Sequence, residues 1–171
     1  MQGLQPAAGT YVLILHCRQE QEIQVGRLGA LQLREGTYLY VGSAFGPGGV
    51  AARCGHHMRV SQRPRWHIDY LRAVCELEQI WFACDPVRRE HEWARILSGM
   101  PGSHAPCPGF GASDCGCLTH LFFRRRRPRL ATFLRYLRQA QTGADVHLKP
   151  SKIMLIKVTS SSRIQGISHD L

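Results

Sequence analysis

The sequence predicts one folded domain in which β-strands and α-helices are interleaved along the chain. The chain has 171 residues, which is the length of one domain or of one domain with a tail. Hydrophobic residues make up 44% of it and charged residues 20%, so a sizeable core can be buried, which does not fit a disordered chain. Short β-forming runs are interspersed with segments that carry helix start and stop signals.

Six runs rich in β-forming residues predict strands. The first and the third of them can pair with each other through the segment between them, although no two-residue turn sets the register. The third is bounded by Gly36 and Gly42. The predicted strands are Thr10–His16, Glu22–Val25, Thr37–Val41, Glu78–Cys84, Leu118–Phe123 and Ile153–Val158.

Three segments predict helices. In the second of them, Asp85 is a favourable N-cap and Pro86 suits the first helical position, while Gly99 can end the helix. The predicted helices are Val50–Val60, Asp85–Ser98 and Leu130–Ala140, and Trp66–Leu71 fits either a short helix or a strand.

The charge balance favours a polyanionic partner. Lysine and arginine number 22 against 12 acidic residues, a net charge of +10, which is typical of proteins that contact nucleic acid. No apolar run approaches about 18 residues, and Met1–Gly9 lacks the features of a signal peptide. The seven cysteines are an odd number. We therefore expect a cytoplasmic protein with mostly reduced thiols and no membrane association.

Two charged side chains fall on apolar helix faces. In the second predicted helix, Val87, Glu90, Ala94 and Leu97 form one stripe, so Glu90 turns inward. Glu92 points the other way, where it has Arg88 and Arg95 as neighbours for surface ion pairs. An inward carboxylate needs a cation, hydrogen bonds or a raised pKa, unless it lies at the edge of the stripe and reaches solvent.

The first predicted helix has the same feature. Val50, Arg53, Cys54 and His57 form one stripe, whereas His56 and Arg59 fit a solvated face. Arg53 can be a packed stem with a wet head group, and His57 a core histidine with a satisfied ring. An inward Arg53, an inward Glu90 and several tyrosines together would also fit a phosphodiester site. There arginine stabilises charge on phosphate and a lone carboxylate holds a divalent ion.

Several blocks of the sequence resemble the GIY-YIG nucleases. Gly9-Thr10-Tyr11 and Tyr40-Val41-Gly42 resemble the two halves of that signature, and the segment that continues through Arg53 and His57 fits the same family. The Trp66–Leu71 segment and residues 109–122 resemble more closely the Uri-type branch. That branch occurs as a stand-alone domain and is related to the domain fused to endonuclease III in some archaea. The resemblance covers residues 9–140 as one nuclease-like domain.

The resemblance implies an α+β fold with a small central antiparallel sheet flanked by helices. It also implies hydrolysis of phosphodiester bonds with one divalent metal, Mg²⁺ or Mn²⁺. Carried over by position, Glu90 is the metal ligand, because residues 90–94 match the family's E-x-x-L-[IA] pattern with tryptophan in place of leucine. The resemblance slightly favours Tyr11 over Tyr40 as the residue that handles the attacking water, and it places Tyr38 outside the signature. The implied catalytic residues are Tyr11, Tyr40, Arg53, His57 and Glu90.

Residues after about 144 form a separate segment in composition. All three lysines lie there, and the chain before Gly143 uses arginine only. The resemblance does not extend to this part. We therefore treat residues 144–171 as a tail whose attachment to the domain is open.

The cysteines offer one set of metal ligands. Cys107, Cys115, Cys117 and His120 lie in one loop-strand region, and tetrahedral zinc takes four such ligands. The C-x-C-x-x-H spacing is not that of a standard zinc finger, so packed or reduced thiols are favoured over a structural zinc. Cys17, Cys54, Cys75 and Cys84 are predicted to be small core residues.

A basic run follows the last strand of the predicted domain. Such a run is usually a solvated face, but at a net charge of +10 it favours a track for nucleic acid, most simply DNA. Arg63 and Arg65 in the loop before Trp66 can extend it. The run comprises Arg124, Arg125, Arg126, Arg127 and Arg129.

These patterns lead to one expectation and two alternatives. The expectation is a metal-dependent endonuclease that acts on DNA, in repair or in the processing of DNA structures. The first alternative is a non-catalytic nucleic-acid-binding module of the same fold, and the second is a structural zinc-binding adaptor. The inward Arg53 and Glu90 favour activity, because a binder has no need of an inward carboxylate. No pattern in the sequence identifies a protein partner.

Overall fold

The computed structural model of the chain describes residues 3–141 and 152–158. These residues form a five-stranded antiparallel sheet, a separate two-stranded sheet and four α-helices, which confirms the predicted α+β fold. The strands are β1 (Gly9–Cys17), β2 (Gln21–Gln24), β3 (Ala30–Leu33), β4 (Gly36–Ala44), β5 (Glu76–Cys84), β6 (Leu121–Arg124) and β7 (Met154–Lys157). The helices are α1 (Gly49–His57), α2 (His67–Arg72), α3 (Glu90–Gly99) and α4 (Leu130–Ala140).

Strand β1 is the centre of the large sheet, whose strand order is β6-β4-β1-β5-β7. The predicted pairing of β1 with β4 is confirmed: Tyr11 lies opposite Gly42, and Leu13 lies opposite Tyr40. Because side chains alternate between faces along a strand, this register puts Tyr11 and Tyr40 on the same face of the sheet. Nearly all of β1 is buried, as expected for a central strand with both faces covered.

Each face of the sheet carries its own apolar core. One core includes Leu13 and Leu15 with residues of α1 and α2, among them Val50 and Leu71. The other packs the opposite face of β1 and β5 against α3 and α4 and includes Trp81, Trp93 and Phe133. The sheet is thus a middle layer between two helical layers, so that side chains from α1 and α3 approach it from opposite faces.

Helix α3 starts at Glu90, four residues later than the predicted first helical position, Pro86. The Asp85 carboxylate accepts a hydrogen bond from the backbone N–H of Val87 at 2.7 Å, which forms a local turn instead of capping a helix. Aspartate favours both arrangements, and here the turn is formed. The backbone N–H of Arg89 then donates to Thr10 Oγ1 at 3.2 Å, which connects the start of α3 to β1. Val87 is 42% exposed, so its predicted place on the apolar stripe is wrong.

Other boundaries shift less. The segment predicted as either a short helix or a strand forms helix α2, which starts at His67, and the first helix ends at His57 instead of Val60. The last strand of the predicted domain begins at Leu121, because the Thr119 hydroxyl lies between the Leu121 backbone N–H and the Phe110 carbonyl. Strand β3 was not predicted, and with β2 it forms the small sheet.

Part of the segment treated as a tail belongs to the sheet. The predicted strand in Ile153–Val158 is confirmed as β7, which pairs with β5 at the edge of the large sheet. The rest of the predicted tail, residues 144–151 and 159–171, lies outside the described residues. Across the described part of the chain, no helix has the length and apolar character needed to cross a membrane.

Candidate active site

The five predicted catalytic side chains line one cavity of about 430 Å³. Four elements, β1, β4, α1 and α3, bring them there from positions up to 79 residues apart in the chain. The cavity walls also include side chains to which the sequence analysis gave no role in the site: Ser43, Trp66, His67, Ile68, Arg88, Ser113 and Asp114.

Tyr11 and His57 form a hydrogen-bonded pair in the wall of this cavity. The Tyr11 hydroxyl lies 2.8 Å from His57 Nε2, and the two residues are 2% and 1% exposed. Burial raises the pKa of Tyr11 well above its usual value, and burial lowers the pKa of His57 to about 3. Both groups are therefore neutral near pH 7. Among the described residues His57 Nδ1 has no hydrogen-bond partner, so the histidine is only half satisfied.

Gly42 lets the Tyr11 ring lie across the neighbouring strand. A Cβ at position 42 would come within 2.4 Å of the Tyr11 hydroxyl oxygen and 2.5 Å of its Cζ. Real Cβ atoms do not approach other atoms this closely. The residue types at positions 11 and 42 therefore depend on each other: the Tyr11 ring occupies the space that Gly42 leaves free.

Tyr40 approaches the cavity from β4. Its ring packs edge-on against Phe110 at a centroid distance of 6.0 Å, and burial raises the pKa of its hydroxyl above the usual range. Gly111, with a φ of +70°, passes close to it, since a Cβ there would lie 2.7 Å from Tyr40 Cε2. Tyr38 is buried elsewhere, where its hydroxyl accepts a hydrogen bond from the backbone N–H of Arg34 at 2.8 Å. The structure therefore places Tyr38 outside this cavity.

Arg53 presents a cation to the cavity. Its Cζ lies 4.2 Å from the centroid of the Trp66 ring, a cation–π contact that holds the guanidinium from one side. Within the described residues, no carboxylate forms an ion pair with it. A guanidinium fixed by an aromatic ring and without a carboxylate partner is suited to bind a phosphate.

Asp69 holds the segment that carries Trp66. It is 2% exposed and accepts hydrogen bonds from the backbone N–H groups of Arg65 and Trp66 at 2.9 and 3.1 Å. Burial raises the pKa of Asp69, but these hydrogen bonds and the His56 ring outweigh that effect and leave the pKa below its usual value. The Trp-x-x-Asp spacing, with a carboxylate in the first turn of a helix, is the sequence signal for this arrangement.

The predicted solvated position of His56 is wrong. His56 Nε2 lies 3.0 Å from Asp69 Oδ1, and its ring packs edge-on against Trp66 at 4.8 Å. Periodicity alone placed His56 on the outer face of α1, but helix α2 packs against that side of it. Arg59 is exposed, as predicted.

Glu90, the first residue of α3, turns its carboxylate toward the cavity. Its side chain is 13% exposed, and Oε1 lies 3.4 Å from Arg88 Nη1 and 3.5 Å from His91 Nε2. Arg88 also donates to Ser43 Oγ at 3.0 Å. A carboxylate that faces this cavity, whose wall also includes Asp114, fits Mg²⁺ or Mn²⁺, since Mg²⁺ keeps several waters and takes one or two carboxylates.

The predicted partners of Glu92 are wrong. Glu92 bonds the buried Arg89 at 3.2 Å and accepts a hydrogen bond from Gln141 at 2.9 Å, not from Arg88 or Arg95. The late start of α3 explains why Arg88 is not a partner: Arg88 precedes the helix, so it is not one turn before Glu92. The prediction that Glu90 and Glu92 point in different directions holds.

The basic run lies away from the cavity. Arg124 lies opposite Thr37 on β4, three residues and about 10 Å along the strand from the Tyr40 position. Arg124 bonds Ser103 Oγ at 2.9 Å, and Arg127 pairs with Glu78 at 2.8 Å. Of the predicted nucleic-acid contacts, Arg65 lines the cavity and Arg63 is exposed. The exposed arginines of the basic run, apart from Arg127, are Arg125, Arg126 and Arg129.

The structure changes the predicted set of zinc ligands. Cys115, Cys117 and His120 come together, but their fourth neighbour is His91. Among the described residues Cys107 is not part of this group, and its thiol contacts the Pro108 carbonyl at 3.7 Å.

The core cysteines follow the prediction in three of four positions. Cys17, Cys54 and Cys75 are buried. Cys84 is half-buried.

Comparison with known proteins identifies one family. The family described as "Domain of unknown function DUF123" matches residues 10–142, a range that includes all five cavity residues discussed above and the cysteine cluster. No curated protein and no solved structure matches the chain significantly.

Proposed function

The chain belongs to the DUF123 family, a domain of unknown function. We propose that it is a divalent-metal-dependent endonuclease that hydrolyses phosphodiester bonds in DNA. One observation carries the proposal. A single cavity holds an arginine that has no carboxylate partner among the described residues, a carboxylate at the start of a helix, and a buried tyrosine–histidine pair. These side chains are the ones that the resemblance to GIY-YIG nucleases implies to be catalytic.

In this proposal the substrate phosphate lies between Arg53 and Glu90. Glu90 would hold the Mg²⁺ or Mn²⁺, which when bound supplies Lewis-acid stabilisation of charge on the phosphate and on the leaving 3′ oxygen. Arg53, held over Trp66, donates hydrogen bonds to the non-bridging oxygens. These bonds strengthen as negative charge develops, so Arg53 stabilises the transition state more than the bound substrate.

Tyr11 handles the attacking water in this proposal. When the His57 proton is on Nδ1, the Tyr11 hydroxyl donates to Nε2, and its oxygen lone pairs are free to accept a hydrogen bond from water in the cavity. As the water oxygen bonds to phosphorus and the bond from phosphorus to the 3′ oxygen breaks, the water proton moves to Tyr11 while the tyrosine proton moves to His57. The leaving 3′ oxygen takes a proton from water. Because burial disfavours a charged Tyr11, the two transfers are concerted with attack and keep that residue neutral. Burial also disfavours the positive charge that forms on His57, so His57 must release this proton to water before the next turnover.

The experiment that tests this function is a cleavage panel. The purified chain is incubated with duplex, branched, damaged and single-stranded DNA and with RNA, with Mg²⁺ or Mn²⁺ and with chelator. We expect cleavage of at least one DNA form that requires the metal. Arg53→Ala should reduce the rate by about 10²–10³-fold with little change in DNA affinity.

Arg59→Ala is the matched control for Arg53→Ala. Arg59 is an exposed arginine just beyond the end of the same helix. It should cleave as the parent does. Cleavage by Arg53→Ala at the parent rate in Mg²⁺ would refute the assignment to this cavity.

A non-catalytic nucleic-acid-binding module is the second candidate. The observation that favours it is the net charge of +10 together with exposed arginines outside the cavity, which can bind phosphate without any chemistry. Binding that depends on salt, without cleavage of any substrate in either metal, would support it.

A further inference from the structure

Four side chains beside the proposed active site form a compact group of metal-ligand atoms. They are His91 in the first turn of α3, Cys115 and Cys117 in the loop that leads to β6, and His120 just before that strand. One nitrogen or sulfur of each lies within 4.8 Å of every other. Two separate parts of the chain supply them, the first turn of α3 and residues 115–120, so local spacing alone does not explain the group.

The distances suit a tetrahedral zinc ion. With Zn–S bonds of about 2.3 Å and Zn–N bonds of about 2.0 Å, tetrahedral geometry requires a sulfur–nitrogen separation of about 3.5 Å. Cys115 Sγ lies 3.5 Å from His120 Nε2. The same geometry requires sulfur–sulfur and nitrogen–nitrogen separations of about 3.8 and 3.3 Å, which the 4.8 Å limit on this group accommodates.

We propose that His91, Cys115, Cys117 and His120 bind a structural Zn²⁺. Four protein ligands complete a tetrahedral site and leave no open position, which is the pattern of a structural site, not of a catalytic one. Two thiolates and two neutral imidazoles also match the preference of Zn²⁺ over Mg²⁺, which takes oxygen ligands. The inference does not rest on the proposed nuclease function.

The ion would fasten the cavity wall to helix α3. The loop that carries Cys115 and Cys117 also carries Asp114 and Gly111, both of which line the cavity. His91 follows Glu90 directly in the chain. Zinc at this site would therefore fix the loop against the turn that presents Glu90, while the proposed Mg²⁺ or Mn²⁺ ligand faces the cavity itself.

Cobalt substitution tests the site. The full reduced chain is titrated with Co²⁺, and its absorption is followed. We expect one Co²⁺ per chain, with tetrahedral d–d bands and a thiolate-to-cobalt charge-transfer band, and displacement of both by Zn²⁺. The charge-transfer band should be lost in the Cys115→Ser/Cys117→Ser double variant. It should be retained in Cys107→Ser, a matched control from the same loop.

A second measurement uses only the unmodified chain, so it does not depend on whether a variant folds. Thiol alkylation is mapped by mass spectrometry with bound Zn²⁺ and after chelation. We expect Cys115 and Cys117 to be protected by zinc and to lose that protection with chelator. Equal labelling in both states, absence of the charge-transfer band from the parent chain, or loss of that band in Cys107→Ser would each overturn the proposal.

One variant separates this site from the proposed active site. Glu90→Gln should keep the cobalt–thiolate band, because Glu90 is not one of the four ligands. Failure of the zinc proposal would appear in the spectrum and the labelling pattern, whereas failure of the nuclease proposal would appear in the cleavage panel. Loss of the band in a folded Glu90→Gln chain would show that the cation requires Glu90 and would overturn the four-ligand assignment.

Discussion

Replacement of Tyr11 by phenylalanine is the sharpest perturbation of the proposed mechanism. The change keeps the ring in its buried place and removes only the hydroxyl that lies 2.8 Å from His57 Nε2. The rate of cleavage in Mg²⁺ should fall by about 10²–10⁴-fold, the range for loss of a positioned acid–base group. The chain should still fold, because the apolar contacts of the ring remain.

The stability cost of this change follows from the histidine. Tyr11→Phe leaves Nε2 unpaired in a residue that is 1% exposed and whose Nδ1 already has no partner among the described residues. A buried polar group that loses its partner costs about 1–3 kcal/mol. Replacement of both residues, Tyr11→Phe with His57→Leu, removes the unpaired groups together and should cost less than the sum of the single changes.

The rates should show the same coupling. If Tyr11 and His57 act as one proton relay, either single change disables it, and the double variant should cleave about as slowly as Tyr11→Phe. The assay is single-turnover cleavage of the best DNA substrate from the panel, with thermal unfolding of each variant alongside. Additive losses in rate would mean that the two residues act independently.

Tyr38→Phe is the matched control for Tyr11→Phe. Tyr38 is equally buried and also uses its hydroxyl in a hydrogen bond, to the backbone of Arg34, but it lies outside the cavity. Its change should lower the melting temperature and leave cleavage by the folded chain unchanged. If Tyr11→Phe cleaves as fast as Tyr38→Phe, the role of Tyr11 in catalysis is refuted.

Four further predictions follow from the structure. Glu90→Gln should abolish metal-dependent cleavage. Glu92→Gln should keep cleavage and lose about 1–3 kcal/mol of stability, because its partner Arg89 is buried. An inactive Glu92→Gln together with an active Glu90→Gln would reverse the metal assignment. Gly42→Ala should slow cleavage and lower stability by about 1–3 kcal/mol by displacing the tyrosine opposite it, and an unchanged rate and melting temperature would contradict the close approach. Replacing the exposed arginines of the basic run, Arg127 excluded, with glutamine should reduce the log–log salt slope of duplex binding by up to about 0.9 per lost contact, and an unchanged slope would mark ordinary solvated surface. Burial lowers the pKa of His57 to about 3 in the folded chain, against 6.5 in the unfolded chain, so between these values the unfolded chain binds more protons. The stability that this residue contributes is complete above pH 6.5 and falls as the pH drops toward 3. His57→Leu should therefore flatten the acid side of the stability–pH profile, measured by urea unfolding, by up to about 1.4 kcal/mol per pH unit.

Periodicity predicted the elements well where local signals agreed with one another. The runs of β-forming residues predicted as strands lie in β1 and β4, and the inward face of α1 carries Arg53 and His57 as its spacing required. It failed where one residue favours two local structures. Asp85 caps helices and forms tight turns equally well, and only the contact between Arg89 and Thr10 across the fold shows where α3 begins.

The sequence predicted which residues line the cavity but not the contacts that hold them in place. The resemblance and the helix faces together selected Glu90, and the structure turns that side chain to the cavity. The ring of Trp66 over Arg53 and the bond from His56 to Asp69 join α1 to α2, and no spacing in the sequence encodes that packing. His91 was not predicted as a metal ligand for the same reason, because it is 24 residues from the nearest cysteine of its group.

The position of β1 explains how so small a domain gathers these groups. As the central strand with helices on both faces, β1 brings Tyr11 near α1, which supplies Arg53 and His57 from one face. Helix α3 packs on the other face, so only its first turn can reach around the sheet to the same cavity, and Glu90 is its first residue. A slip of one residue in the pairing of β1 with β4 would turn Tyr11 to the wrong face and bring another residue opposite it in place of Gly42. Tyr11 and Gly42 therefore constrain the register of this pairing.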